Sequence, residues 1–406
     1  VSAPTVVVPG PINAHSHAFH RILRGRTHEG AAGGAGDFWT WREQMYAAAE
    51  SLDPEGYEQL ATALFAEMVV TGWTAVGEFH YLHHAPGGTP YPDHDMERAL
   101  ARAARSAGIR LVLLDTCYLS GGLDADGRQL ELNETQRRFS DGDAAGWLAR
   151  HESLRAALAE EDAGTGLITL GAAIHSVRAV PPGELGVIAA GLPAHESLHV
   201  HLSEQPAENA ACLAAHGTTP AGLLERHGLL TSRLSAVHAT HLTEADVAAL
   251  GTAGCAIVMC PTTEADLADG IGPARELADA GAVIALGTDQ HAVVDPYLEM
   301  RALEHGERLR TGIRGRFSPA EIAAAARAGG LASLGLGAND DVVRVRADSL
   351  RTAGTRAPQL PLTATAADVA SVTIAGVEVA RDGVHTRLGD PAELYARFLT
   401  DHPEFS

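Results

Sequence analysis

The stretch Leu198-His199-Val200-His201-Leu202-Ser203-Glu204 alternates apolar and polar residues and ends on a histidine and an acid. After the amphipathic run Pro206–His216 the pattern returns in Ser235-Ala236-Val237-His238-Ala239-Thr240-His241. A short β-like run, a helical run and a second β-like run make a βαβ unit, which sets its two strands parallel in one sheet. The alternation continues both ways. Upstream are Ile12–His17, Thr74–Tyr81, Arg110–Tyr118 and Leu167–His175; downstream are Ala256–Cys260 and Val283–Asp289. With the opening pair these make eight candidate strands. Pro54–Thr71, Met96–Ala107, Glu244–Ala253 and Pro273–Ala280 read as amphipathic helices between them. Asp53-Pro54 and Thr243-Glu244 carry helix-start chemistry. Gly72, Gly108, Gly254 and Gly281 follow helices where a left-handed cap is needed. Eight such units predict an α/β fold closed into a (β/α)8 TIM-like barrel over residues 1–334. The competing doubly wound sheet would carry a Gly-rich first turn, which the sequence lacks.

The chain changes character after Leu334. Asp341–Val345 and Val372–Val379 are short β-like runs, with turns at Gly376 and Asp382-Gly383. This predicts a small β appendage over 335–385, formed by terminal segments, with partner strands expected in a segment preceding residue 1. The chain starts at Val1 without an initiator Met. Residues 386–406 are expected to form a helical tail, Arg351–Pro361 an exposed loop, and Gly30–Gly36 a short flexible one.

Composition narrows the function. The 406 residues carry a formal net charge of −21, so neither nucleic acid nor a membrane surface is an expected partner. No apolar run is long enough to span a bilayer, and the first residues lack signal-peptide features. Four cysteines without a Cys-x-x-Cys pair read as small buried thiols in a reduced, cytoplasmic protein. There is no lysine. That removes Schiff-base chemistry and any metal bridge made by a carboxylated lysine.

The chemistry gathers at strand ends. His15-Ser16-His17 closes strand one, and residues i and i+2 of a strand face the same way, so two imidazoles can grip one ion. Strand five ends with His201 and Glu204, strand six with His238 and His241, and strand eight with Asp289. In a (β/α)8 barrel these C-terminal ends form the catalytic face. Satisfied core histidines would have to account for four separate coincidences at one end of the barrel.

The order His-x-His, His-x-x-Glu, His, Asp resembles the mononuclear aminohydrolase branch of the amidohydrolase superfamily, over Ile12 to Leu334. The resemblance implies that His15, His17, His201 and Asp289 bind one divalent metal, zinc, which suits three nitrogens and a carboxylate. It also implies that Asp289 takes a proton from the attacking water, His238 stabilises the tetrahedral centre, and Glu204 passes a proton to the departing nitrogen. His241 competes with His238 for its role; the family position favours His238.

Further segments are similar to the N-formimino-L-glutamate deiminase family of histidine degradation. They are His15-Ser16-His17-Ala18-Phe19, Phe38-Trp39-Thr40-Trp41-Arg42-Glu43, Glu78-Phe79-His80-Tyr81, His175-Ser176-Val177-Arg178, and Thr263-Glu264 with Asp269-Gly270. The resemblance implies release of ammonia from a small dicarboxylate by a cytoplasmic homodimer. Arg42, Tyr118, His175 and Arg178 would bind the glutamyl part, arginine being suited to bidentate contact with carboxylate. His20 stands where the family often has glutamine and would face the formimino group. Glu264 and Asp269 are candidate orienting groups, His80 a candidate support to the ligands, and His83 and His84 read as solvated loop residues. Two other readings compete. An aminohydrolase of a heterocycle such as guanine or adenosine would use the same metal set but favour aromatic stacking over paired arginines. A catalytically silent barrel with an assembly or regulatory role would have no need of Glu204 and His238 beside a full ligand set.

Overall fold

The protein is described by a computed structural model over residues 4–27 and 38–405. Eight strands run parallel in one sheet: Ile12–Ser16, Ala75–His80, Arg110–Cys117, Ile168–Ile174, Leu198–Leu202, Leu234–His238, Ala256–Met259 and Val283–Leu286. Each pairs with its predecessor in chain order. The sheet curls until its last strand meets its first. There the amides of Thr288 and Asp289 donate to the His15 carbonyl at 3.1 and 3.0 Å, and the His17 amide donates to the Asp289 carbonyl at 3.1 Å. The Asn13 side chain adds two bonds across the seam, to the Thr288 hydroxyl and amide. Gly287 allows this approach, since a Cβ there would lie 2.8 Å from the His15 Cβ. The barrel is the (β/α)8 architecture expected.

Local chemistry sets the helix starts. Asp53 caps Pro54–Thr71 by accepting from the Gly56 amide, and Thr243 with Asp246 forms a reciprocal capping box on Glu244–Thr252. Gly72, Gly108 and Gly281 take left-handed conformations at helix ends. Strand residues inside the barrel are almost all buried, as a parallel sheet covered by helices requires.

A second, five-stranded antiparallel sheet stands outside the barrel, in the order Thr5–Pro9, Val342–Arg346, Val369–Ile374, Val377–Arg381, Val384–His385. Its turns at Ala375-Gly376 and Asp382-Gly383 have positive φ at both residues, the conformation that matches hairpin twist. One partner strand of the appendage is therefore Thr5–Pro9, within the stretch read from sequence as barrel, rather than a segment before residue 1. That pairing joins the two ends of the chain, which no local pattern encodes. The expected exposed loop at Arg351–Pro361 is only partly so: Ala357–Leu362 forms a short 3-10 turn that buries Leu360 and Pro361. Helix Pro391–Asp401 packs on Pro54–Thr71. The Gly30–Gly36 loop and the side chains of Phe38 and Trp39 lie outside the described residues. No helix among the described residues is long and apolar enough to cross a membrane. All four cysteines are buried and unpaired.

Candidate active site

The barrel strands stop one to three residues before the ends assigned from sequence, and the residues beyond them turn inward. Ser203, His238, Ala239 and Asp289 all have φ between 46° and 67°. Left-handed backbone costs a non-glycine residue on the order of 1–3 kcal/mol and persists where surrounding packing imposes it. At three strand ends it aims Glu204, His238 and Asp289 at the barrel axis.

Four ligand-type atoms meet there. His201 Nε2 lies 3.2 Å from His15 Nε2 and 3.2 Å from His17 Nε2. Asp289 Oδ1 lies 3.4 Å from His15 Nε2 and 3.5 Å from His17 Nε2. A tetrahedral ion with bonds of about 2.0–2.1 Å sets its ligand atoms about 3.3–3.4 Å apart, so the cluster has the size of a zinc site. The tautomers agree. His17 Nδ1 donates to the Phe79 carbonyl at 2.8 Å and His201 Nδ1 to the His175 carbonyl at 2.9 Å, which turns both Nε2 lone pairs inward. Burial holds all three imidazoles well below their ordinary pKa, His17 at about 3, with neighbouring imidazoles adding to the effect. Neutral lone pairs packed this closely repel one another, and a cation between them relieves that repulsion. The residues fit one divalent ion. Glu78 braces the turn after strand one, accepting from the Ser16 hydroxyl and the Ala18 amide at 2.5 Å each.

His238 stands beside this cluster. Its Nε2 is 3.9 Å from Asp289 Oδ2 and 3.8 Å from Glu204 Oε1, and its Nδ1 is 3.5 Å from Glu264 Oε1. Burial opposes its charge, but Glu204, Glu264 and Asp289 outweigh this and raise its pKa to about 10. His241 points elsewhere, its Nε2 donating to the Asp269 carbonyl at 2.7 Å. Glu204 is buried, which raises its carboxyl to about 7 against the pull of His238. Asp269 binds the Gln205 amide rather than the cluster.

A cleft opens above these groups and is lined by His17, His20, Arg42, Tyr118, His175, Arg178, His201, Glu204, His238 and Asp289, while His15 is fully buried. The structure thus gathers at one cleft the residues expected to hold a metal, move protons and bind substrate, whereas His80, His241 and Asp269 face other partners. Arg178 reaches the cleft with its Nε 3.7 Å from Glu208 Oε1 and without a hydrogen-bond partner. Arg42 sits over the Tyr46 ring, 5.7 Å from its centroid. His20 Nε2 meets the Tyr81 hydroxyl at 3.0 Å, while its Nδ1 is buried without a partner.

Sequence reasoning gave no role to Tyr46, Tyr81, Phe139 or Gln136. Gln136 Nε2 donates to the hydroxyls of Tyr46 and Tyr118 at 3.0 and 2.9 Å, so it orders that wall from outside the cleft. Only Tyr81 carried a signal, closing the Glu78–Tyr81 segment at the end of strand two. His83 and His84 are not solvated. His83 bridges Glu97 and the Thr116 carbonyl, and His84 meets Asp141 at 3.0 Å. Both belong to a buried ionic network around Arg150, as the acids gather on segments distant in sequence. His80 faces Glu97 and Tyr57 in that network, away from the ligand cluster.

The chain is 38% identical to formimidoylglutamate deiminase of Pseudomonas aeruginosa, over 97% of this chain and 88% of that one. It is 30% identical to 8-oxoguanine deaminase of the same organism, over 97% and 86%. The crystal structure of an amidohydrolase from Brucella melitensis superposes with a TM-score of 0.87 at 32% identity, covering 98% of this chain and 90% of that one. The model of the amidohydrolase family matches residues 6–345, and the chain belongs to that family.

Proposed function

We propose that the protein hydrolyses N-formimino-L-glutamate to N-formyl-L-glutamate and ammonia, a step of histidine degradation, with one zinc ion held by His15, His17, His201 and Asp289. The observation that carries the proposal is that His17, His201 and Asp289 line one cleft with Arg42 and Arg178, with His15 Nε2 within 3.4 Å of His201 and Asp289. The likeness to the Pseudomonas deiminase supports the same substrate. Bound there, the ion would supply a Lewis acid that makes water nucleophilic near neutral pH.

The chain's own residues do the rest. Arg178 and Arg42 hold the two carboxylates, with the Tyr118 hydroxyl and His175 completing the contacts. His20 offers its unpartnered Nδ1 to the formimino end. Asp289 Oδ2 receives a proton from the attacking water, and His238, held by Glu264, stabilises charge as the carbon becomes tetrahedral. Glu204, buried beside His238, carries a proton to the departing nitrogen, so the C–N bond breaks to release ammonia rather than an amide anion. Water in and ammonia out leave a formyl group on the glutamate nitrogen.

The aromatic wall of Trp41, Tyr46, Tyr81, Tyr118 and Phe139 favours a second reading, deamination of a heterocycle. Two guanidinium groups in the cleft weigh against it, because their forked donors suit the two carboxylates of the formimino compound better than a neutral ring. We also propose a homodimer acting in the cytoplasm; four unpaired buried thiols support a reducing compartment. Ammonia release from N-formimino-L-glutamate, set against guanine and adenosine, tests the substrate.

A further inference from the structure

Asp289 presents its two oxygens to different neighbours. Oδ1 faces His15 and His17 at 3.4 and 3.5 Å, whereas Oδ2 faces His238 Nε2 at 3.9 Å. Cys260, fully buried at the end of strand seven, completes a second triad: His238, Cys260 and Asp289 each offer a ligand atom within 4.8 Å of the other two. Glu204 Oε1 stands 3.8 Å from the same His238 nitrogen. A four-coordinate site with one thiolate needs ligand atoms about 3.3–3.7 Å apart, so closure by at most roughly 1 Å completes it. A carboxylate with one oxygen towards each of two ligand sets has the arrangement that bridges paired ions about 3.5–4 Å apart. Nothing in the proposed reaction uses Cys260.

We propose that His238, Cys260 and Asp289 form a second, inhibitory site for a soft or borderline divalent ion, Zn2+ in excess or Cd2+, adjoining the first and sharing Asp289. The donor set of thiolate, imidazole and carboxylate selects such ions over Mg2+ or Ca2+, which prefer oxygen. On binding, the Cys260 thiol and the His238 imidazolium each lose one proton to solvent, and the sulfur–metal and nitrogen–metal bonds form. The ion occupies His238 and Asp289 and draws in Glu204, three groups to which the proposed function assigns proton and charge handling, so turnover stops. The inference rests on that reading both for the first zinc, which shares Asp289, and for the effect on activity.

The experiment takes the full chain loaded with one equivalent of zinc and titrates it with CdCl2. Bound metals are counted by mass spectrometry, the cadmium–thiolate absorption is followed in the ultraviolet, and ammonia release is assayed in parallel. The wild type is expected to keep its zinc, bind one cadmium, develop the thiolate band and lose activity. Cys260→Ala is expected to lack the band and to need at least about tenfold more cadmium for the same inhibition. Cys260→Ser, which keeps the buried volume, guards against a packing effect and should likewise lack the band. Cadmium that displaces the zinc, a wild type without the thiolate band, or Cys260→Ala inhibited like wild type would each overturn the inference. Failure to retain the first zinc would instead overturn the metal assignment under the proposed function.

Discussion

Arg178→Met removes a guanidinium while keeping much of the side-chain volume. Arg178 Nε has no hydrogen-bond partner and lies 3.7 Å from Glu208 Oε1, so that donor is not spent on the protein. A substrate carboxylate taking two charge-assisted bonds, each worth about 1.5 kcal/mol, gains about 3 kcal/mol. At 1.36 kcal/mol per factor of ten, its loss lowers kcat/KM by about 150-fold, chiefly through KM, because the contact forms in ground and transition states alike. Glu208, also buried, then lacks its counter-charge and takes up a proton, which limits the stability cost. Steady-state ammonia release and thermal unfolding are measured together on Arg178→Met and on the double variant with Glu208→Gln. The double variant should recover the melting temperature but not the KM. An unchanged KM for the dicarboxylate in Arg178→Met refutes the anchor.

Glu204→Gln should retain bound metal yet lower kcat by about 10²–10⁴-fold, the usual contribution of a positioned acid; an unchanged kcat excludes the proton-shuttle role. Gly287→Ala places a methyl 2.8 Å from the His15 Cβ and 2.9 Å from the His15 carbonyl, so it should weaken zinc binding at least about tenfold by competition with a chelator, and normal affinity would show that the seam does not position the ligand. His151, between Asp115 at 2.9 Å and Glu196 at 2.7 Å, is driven down by burial but raised more by those carboxylates, to about 9 from its ordinary 6.5. Its protonated form is therefore favoured in the folded state, and the stabilisation, about 3 kcal/mol, is complete below about pH 6.5 and lost as pH rises through about 9. Melting curves of wild type and His151→Gln should converge over that range; a constant gap between them refutes the assignment.

What was legible in the sequence was local. Asp53-Pro54 gave the start of its helix because capping is decided within four residues. All eight barrel strands were placed because an apolar run between helical periods has few other readings. Their ends ran long, since Glu204, Thr240 and Asp289 leave the hydrogen-bonded ladder through left-handed turns that side-chain type does not announce. The convergence of His15, His17, His201 and Asp289 was legible because each lies at or just past a strand end, on the face where a barrel gathers its site. The contributions of Gln136, Tyr46 and Glu208 were not, as each acts on a site residue from a different element. The burial of His83 and His84 depends on Glu97, Asp141 and Arg150, which only the packed structure brings near. The pairing of Thr5–Pro9 with Val342–Arg346 spans almost the whole chain, and neither strand carries a signal naming the other.

The most direct test of the central claim is ammonia release by the zinc-loaded protein from N-formimino-L-glutamate, guanine and adenosine under one set of conditions. Rapid release from the formimino compound alone, abolished by chelation and restored by one equivalent of zinc, is the expected result. Release from a heterocycle only, or none from the formimino compound with one zinc bound, would contradict it.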